Sequence, residues 1–258
     1  MRFALVALLS CAACRFEFDA HTSDGSVRDT AVIDSARDAY YDAVMASHPV
    51  AYWRLGDMGE VAKDELAAHD AMLTGGIDEA RPGALTGNPN TAIAFDGTDG
   101  QGRTVGGISF PNQQPFTIEI WVAEPDAAKY WHYLTCETRA TGMPQQGYAL
   151  LQTGGGVMFE RIASPAYYDQ TGTATIQVNT WTQVAGVYDG ATVTLYVDGT
   201  ARQSAPATES ADPFDSPVFL GAQSEGAFFA GTLDEAAIYD HVLTSADLLK
   251  HYEIATGP

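Results

Sequence analysis

The chain predicts an all-β protein: a two-sheet antiparallel β-sandwich with a short C-terminal helix, preceded by a signal peptide and a disordered tether. Three observations carry that expectation. The stretch WTQVAGVYDGATVTLYVDGT, Trp181 to Thr200, holds two alternating runs joined at Asp189-Gly190 and closed by Asp198-Gly199. Val184, Gly186 and Tyr188 fall on one face of the first run and Gln183, Ala185 and Val187 on the other. Val193, Leu195 and Val197 alternate with Thr192, Thr194 and Tyr196 in the second. Period two is the signature of strands, and Asp-Gly supplies the positive φ of a tight hairpin turn. Further short runs of this kind recur between glycine-bearing turns, the pattern of packed antiparallel sheets. Nothing repeats at a fixed period along the 258 residues, so one folded domain is expected.

Taken in order, the chain opens with an address. Met1 to Cys14 reads MRFALVALLSCAAC: one positive charge at Arg2, an apolar run from Phe3 to Leu9, then small residues before a cysteine. The run is too short to span a bilayer and has the three-region pattern of a secretory signal. It resembles a bacterial lipoprotein signal over residues 1–13, with lipidation expected on Cys14, which follows Ala12 and Ala13. Cys11, with Leu8 and Ser10 before it, is the alternative site, and an ordinary signal without a lipid is a third reading. Residues 14–39 are polar, rich in Asp and Ser, and too poor in large apolar residues for a core, which predicts a flexible linker. The folded domain is expected over 40–258. Arg15 is not the aspartate that retains some lipoproteins at the inner membrane, which leaves the outer membrane as the expected location.

Tyr41, Val44 and Met45 share one helical face and predict a short helix before the first strand, Val50 to Leu55. Asp57 to His69 and the Gly/Pro/Asn-rich stretch TGGIDEARPGALTGNPNT read as loops. Strands are expected at Ala92 to Phe95, Phe116 to Val122, Tyr130 to Glu137, Gly147 to Thr153, Val157 to Ala163 and Ala174 to Val178. SPAYYDQTG between the last two reads as a loop. After the central hairpin come strands at Val218 to Ala222 and Gly231 to Tyr239. A final helix follows, capped by Thr244 with Asp247 at its third position.

Four segments carry a family resemblance: PVAYWRLGD (Pro49 to Asp57), FTIEIWV (Phe116 to Val122), the central hairpin, and FFAGTLDEAAIYDHVLTSADLLKHY (Phe228 to Tyr252). Together they resemble the laminin-G-like jelly-roll domains of the concanavalin A-like lectin/glucanase superfamily. That fold hosts lectins, glycosidases and adhesive modules, so the resemblance alone does not choose among them. It implies a structural calcium ion joining the loop after the first strand to the penultimate strand, on Asp57, Asp64 and Asp234. Calcium takes several oxygens, carboxylates among them. Asp96 and Asp99 in their glycine-rich loop are an alternative pair.

The formal charge of −20 argues against nucleic acid, whose phosphates it would repel. The glucanases of this superfamily carry E-x-D-x-x-E on one strand. Here Glu119-Ile-Trp-Val-Ala-Glu124 has Trp121 in place of the middle carboxylate, which predicts an ordinary strand and no catalysis. No G-x-S-x-G, H-E-x-x-H or P-loop pattern occurs. Cys136 is expected to be a buried structural thiol and His132 a packing or surface residue. Sugar binding needs aromatic faces beside hydrogen-bonding side chains. Trp131 and Tyr133 are expected in the core by alternation, Phe228 and Phe229 packed at the closing strand, and Tyr167 and Tyr168 free in their loop as a ligand platform. The expectation is thus a non-catalytic, membrane-anchored extracytoplasmic module that binds carbohydrate or a surface protein. An adhesive envelope spacer is the alternative, and a glycoside hydrolase a more distant one.

Overall fold

The computed structural model describes residues 39–126, 131–138, 145–154, 156–163, 167–223 and 226–257. The signal peptide, Cys11, Cys14 and nearly all of the linker lie outside them. A helix α1 covers 39–46. It is followed by β1 (Ala51–Trp53), β2 (Val61–Ala62), β3 (Ala71–Thr74), β4 (Ile77–Pro82), β5 (Thr91–Asp96), β6 (Gln101–Thr104), β7 (Phe116–Ala123) and β8 (Trp131–Thr138). Then come β9 (Gln146–Thr153), β10 (Gly156–Ala163), β11 (Tyr167–Gln170), β12 (Thr182–Tyr188), β13 (Thr192–Val197), β14 (Thr200–Pro206), β15 (Val218–Leu220), β16 (Ala230–Tyr239) and the helix α2 (Ser245–Thr256).

The strands make two antiparallel eight-stranded sheets. The first runs β14-β13-β12-β7-β16-β5-β4, with β1 also on β16; the second runs β11-β10-β9-β8-β15-β6-β3-β2. Period two sends alternate residues to opposite faces. Phe116, Ile118, Ile120 and Val122 of β7 therefore meet Tyr148, Leu150, Val157 and Phe159 of the second sheet in one core. The other face of the first sheet is also covered. Tyr40 and Val44 of α1 and Leu248 and Ala255 of α2 pack with Tyr52, Trp121, Ala185, Val187 and Tyr239. Thr244 and Asp247 cap α2 reciprocally, which satisfies two amides that the helix start leaves unpaired.

Several sequence expectations need correction. The stretch read as turns contains β4, a largely exposed strand with a bulge between Asp78 and Arg81, where Ala80 takes φ 56°. The first loop contains the two-residue β2. Ala174–Val178 is not a strand: only Ala174 bridges β10, at Val157, beyond the Glu160–Ala163 stretch that β11 pairs. Tyr167 and Tyr168 are not in a loop but on β11, the edge of the second sheet, with Tyr168 opposite Ile162.

Candidate functional site

Asp64, Asp57 and Asp234 go to different tasks. Asp64 is buried and its carboxylate accepts four backbone N–H groups: Tyr52 (2.9 Å), Leu66 (3.2 Å), Ala68 (3.0 Å) and His69 (2.9 Å). Those bonds wind the loop after β1 around one side chain. Asp57 Oδ2 accepts from Lys63 N at 2.8 Å. Asp234 lies elsewhere, at a bulge where β16 stops pairing with β5 and starts pairing with β1. Glu235 takes φ 50° there. Asp234 accepts from Ala84 N (2.7 Å) and Asn90 Nδ2 (3.4 Å). Glu235 accepts from Arg54 Nη2 (3.0 Å), Arg54 Nε (3.3 Å), Asn90 Nδ2 (2.9 Å) and the Tyr52 hydroxyl. Burial, with the Glu235 charge beside it, pushes the Asp234 carboxyl well above its ordinary range. Among the described residues no three His, Cys, Asp or Glu side chains are grouped to hold a metal. The proposed calcium set therefore does not fit one ion. Asp64 has its oxygens occupied by amides, and the charge compensating Glu235 is the guanidinium of Arg54.

The glucanase-like strand is equally committed. Glu119 lies under α2 on the helix-covered face of the first sheet. It accepts from Gln183 Nε2 (2.6 Å) and Tyr239 OH (3.3 Å) and pairs with His251 Nδ1 (3.0 Å). Glu124 takes the Tyr133 hydroxyl at 2.6 Å, and burial raises its pKa. These two carboxyls are tied to separate buried partners and have no substrate face in common. Cys136 is buried, and desolvation pushes its thiol up to about 12, as befits a structural residue.

The outer face of the second sheet differs. Its registers align one residue from every strand: Val61, Met72, Arg103, Phe219, Thr135, Ala149, Glu160 and Gln170. The row on one side holds Glu137, Gly147, Ile162 and Tyr168. The row on the other holds His132, Leu151 and Met158. The small residues Thr135, Gly147 and Ala149 occupy the middle of this face, with Glu137 and Glu160 in register beside them. Gln223 Nε2 donates to Glu137 at 2.7 Å, and Gln170 Nε2 donates to Glu160. The central residues are buried, while Met72, Arg103, Gln170 and Tyr168 at the ends are exposed. At the β3–β6 end a cavity of about 400 Å³ opens, bounded by Met72, Thr74, Gln101, Arg103, Thr104 and Val105. A second, of about 480 Å³, shares Met72 and Thr74 and includes Glu60 and Glu79.

Sequence reasoning placed Trp131, Tyr133 and Phe229 in the core, where they pack edge-to-face at 5.4 and 5.2 Å. It missed the outer face. Alternation in GVMFERIA sets Met158, Glu160 and Ile162 opposite Val157 and Phe159, but only the sheet order reveals that Glu160 and Thr135 share a row.

A laminin-G family model, described as the concanavalin A-like lectin/glucanases superfamily, matches residues 96–249. No curated protein matches by sequence. Among solved structures, the chain is similar to domain 4 of an extracellular arabinanase from Geobacillus stearothermophilus in complex with arabinotriose. The TM-score is 0.65 at 18% identity, over 81% of this chain and 98% of that one. It is also similar to the binding domain of botulinum neurotoxin serotype G, at TM-score 0.61 and 11% identity, over 81% of this chain and 52% of that one. A sialidase from Trypanosoma rangeli, in complex with 2,3-difluorosialic acid, matches at TM-score 0.53 and 16% identity over 81% of this chain and 33% of that one. Two packed antiparallel sheets, the family match over residues 96–249, more than half of the chain, and jelly-roll neighbours agree: the chain belongs to the concanavalin A-like lectin/glucanase superfamily.

Proposed function

We propose that the protein is a non-catalytic carbohydrate-binding module held at the cell envelope by a lipid on Cys14. The observation that carries the binding reading is the registered row across the outer face of the second sheet. Its exposed members include Met72 and Arg103 at one end, beside Thr74 and Gln101, and Gln170 at the other, with Tyr168 in the next row, while Thr135, Glu160 and Phe219 between them are buried. A sugar ring offers an apolar C–H face and polar hydroxyls, so such a strip matches it in kind. The arabinotriose complex of a structurally similar domain supports the same class of ligand. The non-catalytic part rests on the carboxyls. Among the described residues of these rows the acids are Glu137 and Glu160; they lie two strands apart, about 10 Å, and each accepts from a glutamine. Hydrolysis by a carboxyl pair needs them about 5 Å apart when retaining and about 6.5–9.5 Å when inverting, with the substrate between two accessible groups, whereas Glu137 and Glu160 are both buried.

The test is a glycan and polysaccharide array probed with the mature chain, with calcium and with chelator, beside hydrolysis assays on whatever binds. Binding without turnover supports the proposal; turnover of a bound glycan defeats its non-catalytic half. Absence of all binding by folded protein moves the reading to an adhesive spacer. For the anchor, C14S should move the protein from the membrane to the soluble fraction. Persistence of an acylated C14S protein would shift the lipid to Cys11.

A further inference from the structure

We propose that the cavity at the β3–β6 end of the second sheet is a subsite for a sugar carrying a carboxylate, with Arg103 as the group that reads it. This rests on the carbohydrate reading above and adds the ligand's chemical class and position.

Arg103 is exposed, and its guanidinium sits 5.8 Å from the centre of the Phe219 ring. That cation–π contact restrains the head group. Among the described residues no carboxylate is bonded to it, although the chain carries 33 acidic residues against 13 basic ones. Arg54 and Arg161, by contrast, each hold a carboxylate, at 3.0 and 2.7 Å. A guanidinium without an acid, in a chain so rich in acids, leaves its planar fork available for a carboxylate from outside.

The surroundings suit a sugar better than a free anion. Met72 is 60% exposed and Val105 is 99% exposed, both on the rim of the same cavity. They give apolar surface for a ring face. Thr74 and Gln101, directly paired across β3 and β6, add a hydroxyl and an amide. The volume of about 400 Å³ falls in the range of ligand pockets. On the far side of Met72 and Thr74 the adjoining cavity holds Glu60 and Glu79. A glycan spanning both would place its charged unit at Arg103 and an uncharged unit beside the glutamates, so a uniform polyanion is disfavoured. The overall charge does not cancel the contact. Surface charges are screened over about 8 Å at physiological salt, whereas the guanidinium and its carboxylate meet at hydrogen-bond distance.

The test measures binding of uronate- and sialate-terminated oligosaccharides, each beside its carboxyl-reduced form, to wild type, R103M and R103K. Arg103 is exposed, so folding is retained, which a matched thermal midpoint verifies. At least one acid should bind wild type roughly tenfold more tightly than its reduced form, as a bidentate charge-assisted pair allows. R103M should erase that preference, and R103K, a point charge without the fork, should restore only part of it. Binding of neutral or reduced glycans with no preference for any acid overturns this inference and leaves the carbohydrate reading standing. An acid preference that survives R103M also overturns it. No binding to any glycan, charged or neutral, overturns both.

Discussion

A Cβ placed on Gly186 would lie 2.3 Å from the Phe159 ring, so at this point on β12 the opposite sheet already fills the side-chain space. G186A should destabilise the domain by about 1–3 kcal/mol, the usual cost of overpacking a tight core. An unchanged denaturation midpoint would mean the ring moves aside freely. His251 is a second residue whose chemistry can be followed alone. Burial opposes its charge, but Glu119 at 3.0 Å and the Ala43 carbonyl at 3.3 Å prevail, and its pKa in the fold is raised. Its Nε2 also meets Ser47 Oγ at 3.1 Å, so this imidazole ties α1 to α2 over β7. A raised folded-state pKa means the native state holds the proton more tightly than the unfolded chain. The stabilisation is complete below the ordinary imidazole value of about 6.5 and is lost as pH climbs through the raised one. Buried Asp234 and Glu235, also raised, act in the same direction from the carboxylate range upward. Wild-type stability should therefore fall as pH rises above about 6.5, and H251Q should flatten that part of the profile. A parallel profile in H251Q would assign the slope to the acids.

At the scale of elements, the bulge in β16 is where the first sheet changes partners, and it is closed by side chains. Arg54 from the end of β1 and Asn90 from the start of β5 both reach Glu235, and Asn90 Nδ2 also donates to the Arg54 carbonyl at 3.0 Å. Three segments distant in sequence are thus fastened by one guanidinium and one amide. R54Q leaves Glu235 buried with its charge uncompensated and should cost about 3–5 kcal/mol, the typical loss on breaking a buried pair. Wild type should unfold at the same temperature in calcium and in chelator. R54Q, with two adjacent acids exposed to each other's field, is the form in which added calcium should raise the midpoint. A wild-type midpoint that drops in chelator would show that a metal shares the clasp. In the sequence, the strands beside the clasp were legible, Val50 to Leu55 by alternation and Gly231 to Tyr239 within the family resemblance. The clasp itself was hidden, because period two shows which face a residue takes and not which distant strand lies beside it. The same limit explains Asp64: its sequence setting is that of any acidic loop residue, and only the closed loop shows four amides converging on it.

For the whole molecule, elements with a regular pattern and a clear turn or cap at the end were legible, among them the central hairpin, β7, β16 and the capped α2. The order of strands was not, since β15 lies between β8 and β6 and β7 between β12 and β16 through pairings across long stretches of chain. The candidate face suffered most. YALLQ and VMFERI carry apolar residues on both faces of β9 and β10, so their strands read as buried runs and Glu160 among their outward residues was not seen as part of a shared row. Charge is the remaining whole-molecule property, and it yields a direct prediction. At −20 the chain repels itself, which disfavours the compact state. The pairs Arg54–Glu235 and Arg161–Asp169 are buried, with side chains at most 11% exposed, and salt reaches them poorly. Raising ionic strength from about 0.01 to about 0.15 M shortens the screening length from about 30 to about 8 Å. That range weakens the surface repulsion and leaves the buried pairs in place, so sodium chloride should raise the thermal midpoint by a few degrees near neutral pH. A midpoint that falls instead would mean that exposed ion pairs, such as Arg81–Asp78, outweigh the repulsion among the excess carboxylates.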